Sequence, residues 1–307
     1  MTSFRSGVVG LGLLALAGTT ARPVGAACPQ VPCDCFGQAG QYSIVATEAA
    51  TLNWGTYRSE GTTLYSGANL SAVCATTASL KGISAGPDSG GAAEVGTLVA
   101  VAGPGSQAVR ASSRGGINVF ADLLVTGGGV FSGADQADVQ QLDTSGTHAQ
   151  VSACTQAMAD VQSGAQTLAA LTPTLDYGDI VLTGDETLDI NVGAGVTVIK
   201  ARKILLRASP ISYPPVLRIN TVPETESVII NTDELSAGYA SEVQGSKTII
   251  NVVGPGPSVR LTKYSGVSVP VVAPERIVKI TVPFTTMASV YARRVFVRGG
   301  DVVGICP

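Results

Sequence analysis

The sequence predicts a mostly β protein with a right-handed β-helix or solenoid-like core and one long amphipathic helix packed alongside it. Three observations lead to this fold. Short apolar runs separated by glycine clusters fill the first part of the chain, helical periodicity occurs once near the middle, and β-branched runs separated by prolines and glycines fill the remainder. Two β-sandwich domains joined by a helix are the alternative that this order of elements allows.

The first 26 residues have the layout of a secretory signal peptide. Arg5 precedes an apolar run over residues 8–17, which is about half the ~20 residues needed to cross a bilayer core. Residues 24–26 (VGA) form a small-residue cleavage site, so we expect a mature single domain over 27–307. An uncleaved membrane anchor is the alternative. We therefore expect an extracellular, secreted or cell-surface protein without an integral membrane span in its mature part.

Six cysteines lie in the expected mature part. An even number of cysteines in an oxidising compartment predicts three disulfides, whose connectivity the sequence leaves open. A zinc site would need regular ligand spacing and usually histidine help, and the one histidine, His148, lies far along the sequence. We therefore expect no metal and no cofactor. Lipid attachment at Cys28 is an alternative, although Gly25 stands where such signals usually carry leucine. The disulfide candidates are Cys28, Cys33, Cys35, Cys74, Cys154 and Cys306.

Composition argues against two classes of partner. Charged residues make up 13% of the chain, which is about half the usual share. The net charge is −3 at pH 7. Lysines and arginines form no cluster along the sequence, so we expect no nucleic-acid partner and no anionic-membrane partner. Asn69 begins an Asn-Leu-Ser triplet, a candidate N-glycosylation site that predicts an exposed loop.

Residues 148–171, approximately, form the one substantial helix that the mature sequence predicts. Apolar residues recur there at steps of three or four, and polar residues fill the other side. Pro173 follows the expected end, and Gly146 marks a start or a break. Gly164 lies inside the segment and weakens its expected continuity. The apolar positions are Val151, Cys154, Met158, Val161, Ala165, Leu168 and Leu171.

Strand patterns lie on both sides of this helix. Before it, apolar runs such as 117–125 are separated by glycine pairs and triplets that suit tight turns. After it, residues 187–192 alternate between polar and apolar, which is the period of a strand. Prolines and glycines separate the β-branched runs that follow. These runs are 196–206, 216–220, 228–231, 248–253, 259–261, 277–282 and 290–297.

Five segments in order resemble a known family. They are 36–44 (FGQAGQYSI), 122–128 (DLLVTGG), 168–171 (LAAL), 249–254 (IINVVG) and 274–277 (PERI). With these segments the chain resembles the choice-of-anchor A family of extracellular domains, which is itself similar to ice-binding-like β-helices with a side-packed helix. The resemblance implies a secreted or surface module and supplies no catalytic residues. It also implies an anchor after the domain, and none of the usual anchors follows residues 304–307 in this sequence.

Several patterns come close to catalytic motifs without completing them. Residues 86–91 (GPDSGG) resemble the nucleophile motif of trypsin-like proteases, but Pro87 interrupts it. The same segment resembles an aspartic-protease motif without the second carboxylate that such enzymes need. Carboxylates at 185–189 or 233–234 would suit a glycosidase only if they met in a cleft, and we expect them to be solvated turn residues.

The strongest positive spot in the sequence consists of Arg293, Arg294 and Arg298. Alternation along a strand is expected to place the first two on opposite faces. This split is a further reason why the sequence predicts no basic cluster.

We expect a structural or adhesive protein and not an enzyme. Self-association into a coat, matrix or filament through exposed strand edges, or binding to surface glycans, is the expected mode of partnership. An ice-binding or glycan-binding β-helix protein is the alternative, although an ice-binding face would need ranked threonines and the sequence repeats no Thr-x-Thr motif. A polysaccharide-active enzyme using paired carboxylates is a further alternative.

Overall fold

The computed structural model describes residues 32–59, 62–66, 68–83, 92–112, 118–133, 137–208, 213–262, 265–281, 286–298 and 301–302. The predicted signal peptide, Cys28 and Cys306 lie outside these residues, as does the side chain of Cys33. Among the described residues, no helix has both the length and the apolar character that crossing a membrane requires.

The first half of the described chain contains a 3-10 helix, Pro32–Gln41, followed by eight strands. Glycines and polar residues occupy many of the turns between these strands, as turn geometry favours. The strands are β1 (Ile44–Ser59), β2 (Thr62–Ser66), β3 (Ala68–Ile83), β4 (Ala92–Ala100), β5 (Gln107–Ser112), β6 (Asn118–Thr126), β7 (Val130–Ser132) and β8 (Ala137–Asp143).

The predicted helix is present as α1 (Ala149–Ala169), and fourteen strands follow it. Strand β8 lies just before the helix, in a polar segment that lacks a clear strand pattern. The strands after the helix are β9 (Leu175–Thr183), β10 (Thr187–Asn191), β11 (Gly195–Arg207), β12 (Val216–Asn220), β13 (Thr225–Thr232), β14 (Leu235–Ala237), β15 (Glu242–Gly245), β16 (Thr248–Val252), β17 (Val259–Thr262), β18 (Gly266–Val267), β19 (Val271–Thr281), β20 (Thr286–Met287), β21 (Val290–Arg298) and β22 (Asp301–Val302).

Parallel pairing stacks these strands into coils with three faces, except for β2, which pairs antiparallel with the last part of β1. Face A consists of the first part of β11, then β13, β16, the first parts of β19, β21 and β1, the middle of β3, and the last parts of β4, β6 and β8. Face B consists of β9, the last part of β11, β14, β17, the last parts of β19, β21, β1 and β3, then β5 and β7. Face C consists of β10, β12, β15, β18, β20, β22 and the first parts of β3, β4, β6 and β8.

The described chain begins and ends near the middle of this β-helix. Strands β1 to β8 form coils toward one end, α1 returns along face A, and β9 to β22 form coils from the other end back to the middle. There the last coil meets the first, with Val290 beside Ile44 and Val297 beside Leu52. The predicted β-helix with a helix alongside is confirmed. The β-sandwich alternative is wrong, because successive strands stack in parallel coils.

Inward side chains of the coils form the main core. On face A, for example, Ile199, Ile230 and Ile250 occupy the same register position in successive strands and are fully buried. Each such side chain contributes roughly 1.5–3 kcal/mol by leaving water. Stacking of apolar side chains between coils therefore holds the strands in register.

A second core lies between face A and α1. Outward residues of face A, including Val198, Ile229 and Ile249, pack there with the apolar side of the helix. Tyr291 is fully buried in this layer, and its ring centroid lies 5.4 Å from that of Phe36. Burial raises the pKa of Tyr291 to about 12. The helix thus covers face A along its length and leaves faces B and C uncovered by it.

Gly164 lies where the 3-10 helix packs tightly against α1. A Cβ at this position would lie 2.7 Å from the carbonyl oxygen of Cys35 and 2.7 Å from Cε1 of Phe36. One turn earlier, Asp160 Oδ2 accepts a hydrogen bond from the backbone N–H of Gln38 at 2.8 Å. The predicted helix runs through Gly164 without a break. The glycine makes room for a packed neighbour.

Candidate binding face

The cysteines that the structure describes stabilise the fold. Cys74 on face A is disulfide-bonded to Cys154 on α1, and both are fully buried. Cys35 is also disulfide-bonded, and the described residues contain no free thiol. Within the same residues, no three or more His, Cys, Asp or Glu side chains come together in a way that could hold a metal ion.

Asn69 lies in a strand and not in the exposed loop that its triplet predicted. It belongs to the first part of β3, where its backbone pairs with Glu94 of β4. The loop prediction is wrong because a three-residue triplet carries no information about the register of the strand around it. The protease-like segment 86–91 lies outside the described residues.

His148 occupies the N-terminal cap of α1. Its Nδ1 accepts a hydrogen bond from the backbone N–H of Gln150 at 3.2 Å, which satisfies one of the free N–H groups at a helix start. Gly146, two residues earlier, has φ +78°, so it turns the chain into the helix as expected. The single histidine therefore has a local structural role.

The carboxylates considered for glycoside chemistry lie on different corners of the β-helix. Glu186 lies in the turn between faces B and C, where its Oε2 accepts a hydrogen bond from the backbone N–H of Thr183. Asp189 lies on face C and forms an ion pair with Arg218 at 3.1 Å. Asp233 and Glu234 lie between faces A and B, just before β14. The coil geometry therefore does not bring the two groups into one cleft.

Arg293 and Arg294 share a carboxylate and do not point to opposite faces. Arg294 Nε lies 2.5 Å from Oε2 of Glu48, and Arg293 Nε lies 3.7 Å from its Oε1. The predicted split is wrong because β21 and β1 both turn from face A to face B here, which shifts the register between Ala46 and Ala49. Strict alternation does not hold through such a corner.

A shallow pocket lies at the same corner, between α1 and face B. Glu275, Arg293 and Glu48 lie along its wall, with Gln162 of the helix opposite. Because Arg293 and Arg294 already pair with Glu48, this pocket is a structural ion-pair site. The sequence did not indicate it, since its charged residues come from three distant segments.

Polar side chains of neighbouring strands on face C form hydrogen bonds with one another. Arg218 donates from Nη1 to Asp189 at 3.1 Å and from Nε to Gln244 at 3.2 Å, and Gln244 donates to Glu242. Asn220 donates to Asn191 at 3.0 Å. These contacts connect three neighbouring strands. Asp189 and Glu242 therefore have partners on the face itself.

Face B has two outward rows that run along the β-helix. The central row is Val181, Leu205, Ser236, Arg260, Lys279, Phe296, Thr51, Ser79, Arg110 and Ser132. The far row, two residues later in each strand, contains Thr183, Arg207, Thr262, Thr281, Arg298, Asn53, Lys81 and Ser112. Neither of these described rows contains a carboxylate.

Six cations lie in these two rows, and we call them the basic strip. Arg260 and Lys279 are direct neighbours in the central row. The strip crosses seven strand spacings of ~4.8 Å, a span of about 34 Å. Arg298 already interacts with another group of the protein. The side chains of the other five make no hydrogen bond or ion pair with the part of the chain that the structure describes. The strip is Arg207, Arg260, Lys279, Arg298, Lys81 and Arg110.

Acidic residues of face B lie in its edge row, beside face A. Asp179 Oδ1 accepts a hydrogen bond from Arg202 Nε at 2.6 Å, and its Oδ2 lies 2.9 Å from Lys203 Nζ. The hydrogen bond from Arg202 is the main cause that lowers the pKa of this carboxyl to about 2, and the bond from Lys203 adds to it. These contacts hold the carboxylate at the edge of the face, away from the basic strip.

Comparisons with known proteins found no related sequence and several solved structures of ice-binding proteins. No protein-family model matches the chain, and no curated protein sequence matches it. An ice-binding protein from the Antarctic ascomycete Antarctomyces psychrotrophicus is 15% identical, with 88% of this chain and 97% of that chain covered and a TM-score of 0.44. An ice-binding protein from an Arctic yeast is 10% identical, with 88% and 93% covered and a TM-score of 0.45.

These likenesses are too weak to carry an argument about this chain. The choice-of-anchor A resemblance likewise stays a prediction, since no family model supports it. The β-helix described above rests on the strand pairing of the chain itself.

Hydroxyl side chains form two short pairs among the cations of face B. Thr51 lies beside Ser79 in the central row, and Thr262 lies beside Thr281 in the far row. Neighbouring strands separate the partners of each pair by ~4.8 Å. Charged residues interrupt both rows, so the hydroxyls do not form a continuous array.

Proposed function

We propose that this protein is a non-enzymatic, extracellular adhesive protein that attaches to an extended surface through face B. The observation that carries this proposal is the outward side of face B, which α1 leaves uncovered and where ten strands lie side by side. Nine strand spacings of ~4.8 Å make this face about 43 Å long. The predicted signal peptide and the described disulfides support an extracellular location.

The shape of face B suits a long or repetitive ligand better than a small molecule. Small-molecule sites are concave and enclose most of the ligand surface, whereas the outward rows of this face follow the surface of parallel strands. A ligand on the face would contact side chains from several coils at once. Many weak contacts of this kind give attachment through their number.

The ends of the β-helix favour attachment by a face over end-to-end filament growth. Asp143 lies at one end, and Asp176, Asp185 and Glu186 lie at the other; all four carboxylates belong to the terminal coils. Stacking two molecules end to end would bring like charges together, which natural edge strands use to prevent pairing. We therefore assign adhesion to face B and expect a monomer in solution.

The direct test measures binding to cell-wall or matrix material from the organism that makes the protein. Thr51→Tyr places a bulky side chain in the middle of face B, and we expect it to abolish co-sedimentation with this material. Thr187→Tyr makes the same change on face C and is the matched control, expected to bind normally. A wild-type protein that does not sediment with the material, or equal losses in both variants, would contradict the proposal.

Ice is the second candidate surface, and the hydroxyl pairs Thr51–Ser79 and Thr262–Thr281 favour it. A regular strand spacing could place hydroxyl groups to order water, while the lysines and arginines beside them oppose such ordering. The measurement is thermal hysteresis in solution, compared between the wild type and Thr51→Tyr. Hysteresis that Thr51→Tyr removes would support ice binding, and its absence in the wild type would exclude it.

A further inference from the structure

We propose that the basic strip binds a linear acidic polysaccharide, whose carboxylate or sulfate groups pair with its cations. This inference rests on the proposed function, because it names the ligand class of face B. A polymer lying along the β-helix would place its anions over successive coils. The strip is about 34 Å long, which is long enough to contact several sugar units at once.

Five of the six cations in the strip have no ion-pair partner among the described residues. Arg207, Arg260, Lys279, Lys81 and Arg110 make no ion pair with any residue that the structure describes, although the chain carries a net charge of −3. Elsewhere the arginines and lysines beside β-helix corners do find carboxylates, as Arg202 and Lys203 do with Asp179. These five cations of the strip are thus available to an external anion.

Two like charges also lie side by side in the central row. Arg260 and Lys279 occupy the same register position in neighbouring parallel strands, and like charges placed opposite each other destabilise a sheet. Stability of the fold therefore gives no reason for this pair. A polyanion bound across both strands would relieve the repulsion and turn the pair into a binding element.

The residues between the cations of the central row also suit a sugar polymer. Phe296, Thr51 and Ser79 separate Lys279 from Arg110 in the central row. An aromatic ring offers an apolar surface to the face of a sugar ring, and hydroxyl groups can both donate and accept hydrogen bonds with sugar hydroxyls. This combination of cations, ring and hydroxyls fits a charged sugar polymer.

Two other polyanionic partners fit less well. A second copy of the chain would have to present a row of acidic residues. Asp189 and Glu242 on its face C already have partners, and the carboxylates at its ends, such as Asp143 and Asp176, lie in single terminal coils and form no row that matches the strip. Duplex DNA also carries regularly spaced anions, but the aromatic ring and the hydroxyls among the cations of face B suit sugar rings and sugar hydroxyls better than a phosphate backbone. The test below includes binding of duplex DNA and binding of a second copy as outcomes.

The test measures binding of the full mature protein to immobilised polygalacturonate and dextran sulfate, with uncharged dextran as the blank. We expect the protein to bind at least one of the two acidic polymers. This binding should weaken as the salt concentration rises, because salt screens the attraction between the cations of the strip and the anions of the polymer. The variant Arg260→Gln/Lys279→Gln removes two cations of the strip. We expect it to bind about tenfold more weakly at low salt, since affinity for polyanions follows the number of ionic contacts.

The control variant Lys200→Gln/Arg202→Gln removes the same charge outside the strip. We expect it to bind the polymer within about twofold of the wild type, which separates a local site from a net-charge effect. Thermal midpoints of both variants check that folding is intact. Equal losses in the two variants, no binding to either acidic polymer, or equally tight binding to duplex DNA would overturn the proposal.

The same variants separate this inference from the proposed function. If Arg260→Gln/Lys279→Gln still sediments with native surface material while Thr51→Tyr does not, adhesion through face B stands and the acidic polysaccharide is wrong. If the wild type fails to sediment with that material at all, the proposed function fails first. Sedimentation of the purified protein alone, with a second copy as the ligand, would also count against the polysaccharide.

Discussion

Arg294 donates a hydrogen bond from Nε to Oε2 of Glu48, 2.5 Å away and 246 positions earlier in the chain. This contact crosses the seam where the last coil of the β-helix meets the first. Beneath it, Val295 lies beside Ala50 and Val297 beside Leu52 in parallel register. The seam lets one β-helix form from two halves of the chain: β9 to β22 approach it from one end, and β1 to β8 continue from it toward the other end.

The buried residues of the seam are expected to matter more than its ion pair. Leu52 is fully buried, so Leu52→Ala should lower the free energy of unfolding by about 2–5 kcal/mol. The side chains of Glu48 and Arg294 are 43% and 56% exposed, so Glu48→Gln should cost about 1 kcal/mol or less. Chemical denaturation of both variants measures the difference, and equal losses would contradict it.

The disulfide between Cys74 and Cys154 should be a main source of stability. It closes a loop with a sequence separation of 80 residues, and constraining a loop of that size in the unfolded chain stabilises the fold by about 4 kcal/mol in the chain-entropy model. The double variant Cys74→Ala/Cys154→Ala should therefore unfold at lower denaturant concentration. A change below about 1 kcal/mol would show that the unfolded chain is already constrained in another way.

Gly164→Ala should destabilise the protein even though alanine favours helices. The substitution gains about 1 kcal/mol of helix propensity, but the new Cβ would lie 2.7 Å from the Cys35 carbonyl oxygen. The 3-10 helix must then move away from α1. Ser163→Ala, at the exposed neighbouring position, is the control and should be neutral or slightly stabilising. Equal behaviour of the two variants in thermal unfolding would refute this explanation.

Two asparagines of face A bind the last turns of α1. Asn231 Nδ2 donates to the carbonyl oxygen of Leu168 at 2.8 Å, and Asn251 Nδ2 donates to that of Ala165 at 3.1 Å. Asn231→Ala should cost about 1–3 kcal/mol, because buried polar groups lose their partner. Asn220→Ala, on the more exposed face C, should cost less, and denaturation curves of the two variants provide the comparison.

Asp179 should titrate well below an ordinary aspartate. Its pKa is lowered from 3.8 to about 2, chiefly by the hydrogen bond from Arg202. Because the pKa is depressed in the folded state, the stabilisation is fully present above pH 3.8 and is lost as the pH falls through about 2. Carbon-13 NMR of the carboxyl measures the midpoint. Arg202→Gln should raise it, and an unchanged midpoint would show that Arg202 is not the cause.

Local patterns in the sequence determined the class of the fold and the elements with a clear period. The helix was predictable because apolar residues such as Val161 and Leu168 repeat at helical steps, and the alternation at 187–192 predicted β10. The even number of cysteines predicted disulfides, and the Cys74–Cys154 bond is one of them. Strand β8 was not predictable, since its polar outward residues and open end leave little apolar signal.

Only the tertiary structure decided which distant residues meet. Lys81 and Arg110 precede the helix, whereas Arg207, Arg260 and Lys279 follow it, and no window of the sequence contains both groups. They meet on one face because the chain builds the β-helix in two halves and joins them at a seam, so that register between coils, and not distance along the chain, sets their spacing. Composition and local periodicity are therefore sufficient to predict a β-helix. The basic strip depends on the order in which the coils of that β-helix stack.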